Sequence, residues 1–192
     1  PGWMLNYEVR CVDNGSTVSL LNQLGMSRYF EAGAGAGFVS PPGFPGELYR
    51  EADNTLTVRN TRGTELHFSA GADARLTSLE DANGNTLVLN RDGQQHLTSV
   101  TDATNRTWTF TWQNGHIASI TDPGQGVWQY GYGDTPETAG LLTSVTDPVG
   151  RKTAYLWMQA ESGATRLGGF IAPNGGKTVA ESVGAYGEWT TV

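Results

Sequence analysis

Apolar and polar residues alternate along much of the chain with a period of two, which is typical of β-strands with one apolar face. The clearest case is residues 107–112, where three aromatic residues alternate with three threonines. Residues 127–132 alternate in the same way, and residues 56–59 and 64–68 predict shorter strands. No convincing amphipathic helix is found. The pattern predicts an all-β fold.

One six-residue pattern occurs four times: an apolar residue, two small residues, a second apolar residue, a polar residue and an aspartate. Its copies are residues 76–81, 97–102, 117–122 and 142–147, and their aspartates are 21, 20 and 25 residues apart. Repeats of this length indicate one supersecondary unit per copy. Six, eight and ten residues after each aspartate the chain carries mostly aromatic or apolar residues: Leu87, Leu89 and Arg91; Trp108, Phe110 and Trp112; Trp128, Tyr130 and Tyr132; Thr153, Tyr155 and Trp157.

Each copy predicts a β-hairpin. The residues before the aspartate suit a strand, and the aspartate opens a turn because its carboxylate accepts backbone N–H groups two residues further on. Three residues later we expect a positive φ, at Gly84, Asn105, Gln125 and Gly150. Hairpins laid edge to edge form a twisted, curved antiparallel ribbon with an apolar face and a threonine-rich face. The structural positions are Asp81, Asp102, Asp122, Asp147, Gly84 and Gly150.

The repeats divide the chain into three parts. Residues 1–63 form a non-repetitive β region, with a first strand over residues 3–11, a hairpin turn at 13–16 and a Gly/Pro-rich loop at 32–46. Residues 64–158 carry the hairpin repeats. Residues 159–192 are a degenerate repeat or a C-terminal extension, since residues 164–180 resemble a fifth copy with Ala172 at the aspartate position.

Residues 142–150, with the alternating tyrosines Tyr130 and Tyr132, resemble the RHS/YD-repeat family over about residues 64–158. In that family, which includes bacterial RHS proteins, the C component of insecticidal toxin complexes and teneurins, such hairpins wind into a spiral β-shell. The bacterial shells enclose a C-terminal toxin domain. The resemblance implies a non-catalytic shell segment of a secreted bacterial effector, a polymorphic toxin, whose partners are the rest of the shell and the toxin. Because residue 1 is Pro and family shells need more repeats, we expect a part of a longer chain.

Composition excludes several classes of protein. The chain has 192 residues, with 12 Lys+Arg against 19 Asp+Glu, and this acidic balance argues against a nucleic-acid partner. No apolar run is long enough to span a membrane. No secretion signal is visible, so the extracellular location rests on the resemblance alone.

The chemistry-bearing residues do not form a recognisable active site. Equivalent aspartates on successive hairpins are expected about 10 Å apart, two strand spacings, which is too far for paired acid–base work. His96 and His116 share one repeat position, but zinc needs three or four ligands. Cys11 lies in an alternating strand, and the glycines of residues 33–37 lack the dinucleotide-binding pattern. We therefore predict no enzyme activity, no metal and no cofactor.

One set of side chains could bind a ligand. It consists of Trp108, Trp112, Trp128, Tyr130, Tyr132 and Trp157. Aromatic columns suit a carbohydrate or a cell surface, which is the alternative function. The area they would expose favours packing as a buried sheet face instead. Unpaired sheet edges also predict self-association.

Overall fold

The computed structural model describes residues 7–22, 26–160, 163–181 and 188–191, with side chains as far as residue 179. None of the described residues is helical, which confirms the all-β prediction. The chain divides into two compact units, the first within residues 4–107 and the second within residues 108–192. The sequence-based boundaries at residues 63 and 158 stay a prediction.

The described residues of the first unit form ten strands, all paired antiparallel. They are β1 (Arg10–Asp13), β2 (Thr17–Leu21), β3 (Ser27–Ala32), β4 (Phe38–Val39), β5 (Gly46–Arg50), β6 (Leu56–Asn60), β7 (Glu65–Phe68), β8 (Asp73–Glu80), β9 (Thr86–Arg91) and β10 (Leu97–Thr101).

Strands β1 to β8 form what we call the strand ring. Each strand pairs with the next, and β4 is linked to β5 by a bridge between Gly37 and Tyr49. The ring closes because β1 also pairs with the first half of β8, where Cys11 lies opposite Ala74. The second half of β8 pairs with β9 along the same edge, so the hairpin repeats start from the ring.

The core of the first unit consists mainly of side chains from the ring. Phe30, Phe68 and Cys11 are fully buried. Each large apolar side chain buried in this way contributes about 1.5–3 kcal/mol. The other buried apolar residues of the ring are Val18, Leu48, Leu56, Val58, Ala74 and Leu76.

The second unit contains β11 (Thr107–Gln113, whose first residue belongs to the first unit), β12 (His116–Thr121), β13 (Val127–Tyr132), β14 (Leu142–Thr146), β15 (Lys152–Gln159), β16 (Thr165–Ile171), β17 (Lys177–Glu181) and β18 (Glu188–Thr191). Each pairs antiparallel with the next. Among the residues of this unit with described side chains, only Leu142, Gly168 and Gly169 are buried, so the unit is a single layer of strands.

A β-bulge explains the spacing of apolar residues in the repeated pattern. Leu97 and Val100 are three residues apart, which places them on opposite faces of a regular strand. In the structure the pairing with β9 skips Thr98, so both side chains turn to one face, where they are 0% and 2% exposed. The pairing skips the equivalent residue in every repeat, at Thr77, Ala118, Thr143 and Gly168.

The structure corrects two predictions in the first 63 residues. Residues 7–9 are not in a strand, although their side chains alternate, because the Tyr7 carbonyl accepts a hydrogen bond from Arg91 instead of joining a ladder. Residues 3–6 of the predicted first strand lie outside the described residues. The predicted loop at 32–46 contains the short strand β4, since the Gly33 N–H bonds the Gly37 carbonyl and turns the chain back onto β3.

Candidate functional site

The repeated aspartates all build the same turn. The Asp102 N–H bonds the Arg106 carbonyl at 3.0 Å, and the Asn105 N–H bonds the Asp102 carbonyl at 2.9 Å. The carboxylate then accepts the N–H groups of Thr104 and Arg106 at 2.9 and 3.0 Å. Asn105 has a φ of 63°, as the sequence predicts. The same four hydrogen bonds recur at Asp81, Asp122 and Asp147, with positive φ at Gly84, Gln125 and Gly150.

These carboxylates are hydrogen-bond acceptors at the turns. The Thr104 hydroxyl donates to Asp102 at 2.7 Å and is the largest cause of the lowered pKa of Asp102. Desolvation raises the pKa of Asp147, but the backbone N–H and guanidinium of Arg151 outweigh it, so the net shift is downward. A carboxylate whose pKa is lowered stays ionised near neutral pH and is a poor general acid.

Two further turns of this kind lie outside the six-residue pattern, one of them at residues 91–93, where the polar sequence also predicts a turn. Asp92 accepts the N–H groups of Gln94 and His96, both at 2.9 Å, and Gln95 has a φ of 67°. Asn60 does the same through its side-chain carbonyl. In both turns the Asp or Asn is followed three positions later by a residue with positive φ, Gln95 or Gly63. The Asp/Asn followed three residues later by Gly, Asn or Gln is therefore the sequence signal for these turns, although the rest of the six-residue pattern does not precede them.

The six aromatic residues lie on one face of the second unit, which we call the aromatic face. Strand register places them there: Trp128 lies opposite Ile120, which lies opposite Phe110, and Tyr130 lies opposite Val145. The face consists of Trp108, Trp112, Trp128, Tyr130, Tyr132 and Trp157. Strands carrying aliphatic side chains therefore separate the aromatic columns, and the opposite face of β11 carries the threonines.

The aromatic face is only partly covered. Trp128 is 38% exposed, and the other five side chains are half-buried. The Tyr132 ring stacks on His116 with 4.6 Å between ring centroids, and the Trp157 indole N–H donates to the Leu142 carbonyl at 2.8 Å. Desolvation raises the pKa of both Tyr130 and Tyr132. The second unit thus presents ordered aromatic rings that it does not itself bury.

A hydroxyl, a histidine and a carboxylate meet on strands β6 and β7. The Thr57 Oγ1 lies 3.2 Å from His67 Nδ1, and His67 Nε2 lies 3.4 Å from the Glu65 carboxylate. The Thr57 hydroxyl, however, donates to Glu51 at 3.0 Å, and Thr57 is 1% exposed. Its proton is thus committed to a carboxylate and no substrate can reach its oxygen. This arrangement holds adjacent strands together and does not make a nucleophile.

Cys11 is unsuited to nucleophilic chemistry. Desolvation by burial, and to a smaller extent the charge of Asp13, raise the pKa of the Cys11 thiol to about 12. Asp13 itself binds the Arg50 guanidinium through both carboxylate oxygens, at 2.6 and 3.0 Å, and this lowers the pKa of Asp13. The guanidinium lies over the Phe38 ring, 5.6 Å from its centroid. The ion pair thus connects β1 and β5, two distant strands of the ring.

The remaining candidates from the sequence are not brought together. His96 lies 3.2 Å from Asp92 within its own turn, whereas His116 stacks on Tyr132. In the part of the chain that the structure describes, no three His, Cys, Asp or Glu side chains are grouped to hold a metal ion. Nor does any helix there have the length and apolar character needed to cross a membrane. Residues 33–37 form a tight turn beside a shallow cleft lined by Phe38 and Arg50.

Comparison with known families finds one match, within the hairpin repeats. Residues 91–124, which run from the end of β9 to the β12–β13 turn, match the RHS Repeat family. This match supports an assignment of the repeats to the RHS-repeat family. It confirms the resemblance drawn from the sequence at the second and third copies of the pattern. RHS repeats are generally structural elements and occur in secreted or surface-associated proteins.

Comparisons with curated sequences and with solved structures add little. No curated protein sequence matches it. Among solved structures, 27 chains match, including a porin-like protein from Bacteroides uniformis that is 11% identical, with a TM-score of 0.41. That match covers 100% of this chain and 97% of the other. A likeness at this TM-score carries no argument about fold or function.

Proposed function

We propose that this chain is a non-catalytic structural segment of an RHS-repeat shell that encloses a C-terminal toxin domain in a secreted bacterial effector. The observation that carries the proposal is the repetition of one hairpin unit with its turn and its bulge in register. A unit that pairs only with its neighbours extends a sheet without forming a cleft. A wall needs this property, whereas an enzyme needs a site that gathers several functional groups.

The aromatic face supports the same proposal. A soluble protein rarely leaves a large contiguous apolar surface in water, and here Trp128 is exposed while the other five aromatic side chains are only half-buried. In the proposed shell this face packs against the remainder of the wall or against the enclosed polypeptide. Trp128 and the Tyr132–His116 stack are the side chains that would make this contact.

Protection of the enclosed domain tests the proposal. The coding sequence around this segment is determined, and a recognition sequence for a specific protease is inserted into the domain that follows the repeats. We expect many further repeats, and we expect the sequence to be cut in the isolated domain but not in the parent chain. Equal cutting in both, or a parent chain without further repeats, would refute enclosure.

Carbohydrate or cell-surface binding through the aromatic face is the second candidate, favoured by the 38% exposure of Trp128. Glycan-array binding that is lost in Trp128→Ala and Trp112→Ala would support it. The matched control is Met158→Ala, because Met158 is also exposed but lies on the opposite face of its strand. Binding that survives both tryptophan variants, or no binding by the wild type, would rule it out.

A further inference from the structure

The chain contains four Asn-Gly dipeptides, and one of them differs from the others in the hydrogen bonding of its glycine N–H. They are Asn14-Gly15, Asn83-Gly84, Asn114-Gly115 and Asn174-Gly175. All four asparagines are exposed, so access to water does not distinguish them. Asn-Gly is the dipeptide most open to intramolecular attack on the side-chain amide, because glycine has no side chain to obstruct the attacking nitrogen. What differs is the state of that glycine nitrogen.

In three of the dipeptides the glycine N–H is held by a hydrogen bond. The Gly15 N–H donates to the Asp13 carboxylate at 2.8 Å. The Gly84 N–H donates to the Asp81 carbonyl at 3.0 Å, and the Gly175 N–H donates to the Ala172 carbonyl at 2.9 Å. The last two bonds belong to the repeated turn. The nitrogen can attack in these three places only after the turn opens.

Gly115 lies in a turn of another kind. Asn114 and Gly115 are the two central residues of the β11–β12 hairpin, with φ of 52° and 76°, and Gln113 pairs with His116. In such a two-residue turn the N–H of the second central residue points away from the ladder. Among the described residues the Gly115 N–H has no acceptor.

We propose that Asn114 is a site of spontaneous deamidation and isoaspartate formation, selected by the two-residue turn. The Gly115 nitrogen loses its proton and forms a bond to the Asn114 side-chain carbonyl carbon. The bond from that carbon to the amide nitrogen breaks, and the nitrogen leaves with the proton as ammonia. Water then opens the succinimide at either carbonyl and gives aspartate or isoaspartate. No oxidant or cofactor is needed.

The product changes the hairpin. Either outcome adds a negative charge beside His116, and isoaspartate also lengthens the main chain by one carbon. A two-residue turn fixes the register of its strands, so the longer chain disturbs the pairing of Gln113 with His116. Among the four Asn-Gly sites, we therefore expect deamidation to damage the β11–β12 hairpin first.

Peptide mapping tests the proposal, because trypsin places the four dipeptides on separate peptides: residues 11–28, 76–91, 107–151 and 167–177. The native protein is incubated in mildly alkaline buffer and digested in ¹⁸O-water, which marks any conversion during digestion. The isoaspartate in each peptide is quantified by methylation with isoaspartyl methyltransferase. We expect peptide 107–151 to react about tenfold faster than the other three, the factor that one hydrogen bond supports.

Two controls assign the cause. In concentrated urea the four peptides should react at similar rates, because the turns are lost. In the Asn114→Gln variant the signal of peptide 107–151 should disappear while the other three are unchanged. Equal rates in the native protein, or a preference for Asn114 that persists in urea, would overturn the proposal.

Discussion

The ion pair between Asp13 and Arg50 gives the sharpest test of the strand ring. The Arg50→Met variant keeps most of the side-chain volume and removes the guanidinium. It leaves the Asp13 carboxylate, which is 9% exposed in its side chain, with the Gly15 N–H as its remaining partner. The charge is then mostly desolvated and poorly compensated, so the ring should be less stable.

The magnitude follows from two charge-assisted hydrogen bonds, at 2.6 and 3.0 Å. Each contributes about 1.5–3 kcal/mol when it is buried. The Arg50 side chain is 25% exposed, so water replaces part of the interaction. We expect a loss of about 2–3 kcal/mol in the free energy of ring opening. The matched control is Arg59→Met, because Arg59 pairs with Glu65 but is 56% exposed, and its loss should cost about 1 kcal/mol or less.

Cys11 provides the assay. It is the only cysteine of the chain and is fully buried in the ring, so a thiol reagent reacts with it only after the ring opens. A loss of 2–3 kcal/mol corresponds to labelling that is roughly 30- to 150-fold faster, at 1.36 kcal/mol per factor of ten. Arg59→Met should stay within about fivefold of the wild type. If the two variants label at the same rate, the ion pair does not hold the ring closed.

Three further predictions concern pH, the turns and the bulge. The pKa of Asp13 is lowered in the folded state, so its stabilisation of the ring is present above about pH 4 and is lost as the pH falls through the folded pKa. The Cys11 labelling rates of wild type and Arg50→Met, measured with a pyridyl disulfide, should therefore converge in acid. Ala172→Asp restores the turn carboxylate of the fifth hairpin and should raise the melting temperature, and an unchanged value would contradict the role of that carboxylate. Val100→Ala should lower the free energy of unfolding in urea by about 2 kcal/mol, and the control Val88→Ala by about 0.5 kcal/mol or less, because Val100 is 2% and Val88 42% exposed. Equal effects would mean that the bulge does not bury Val100.

The turns and strands of the repeats could be predicted because their signals are local. The Asp102 carboxylate bonds N–H groups two and four residues away, and Asn105 takes a positive φ three residues away. These contacts lie within one stretch of sequence, so each copy of the pattern carries the whole turn. The resemblance to RHS repeats rests on the same local residues. The aromatic face was likewise predictable, because alternation within a strand sets the face of each side chain.

Other features depend on residues that are far apart in sequence. The pairing of Cys11 with Ala74 closes the ring, and the binding of Asp13 by Arg50 connects strands that no periodicity relates. The glycine-rich segment contains a strand only because β3 and β5 lie on either side of it.

The sequence by itself therefore determined the all-β class, the repeated turns and the likeness to RHS repeats, because each depends on hydrogen bonds or alternation within a few residues. Tertiary structure alone decided the closed ring and the bulge that brings Leu97 and Val100 to one face. Pairing between strands selects these features, and a strand's partner is set by the free energy of burying both strands together, which neither strand encodes alone.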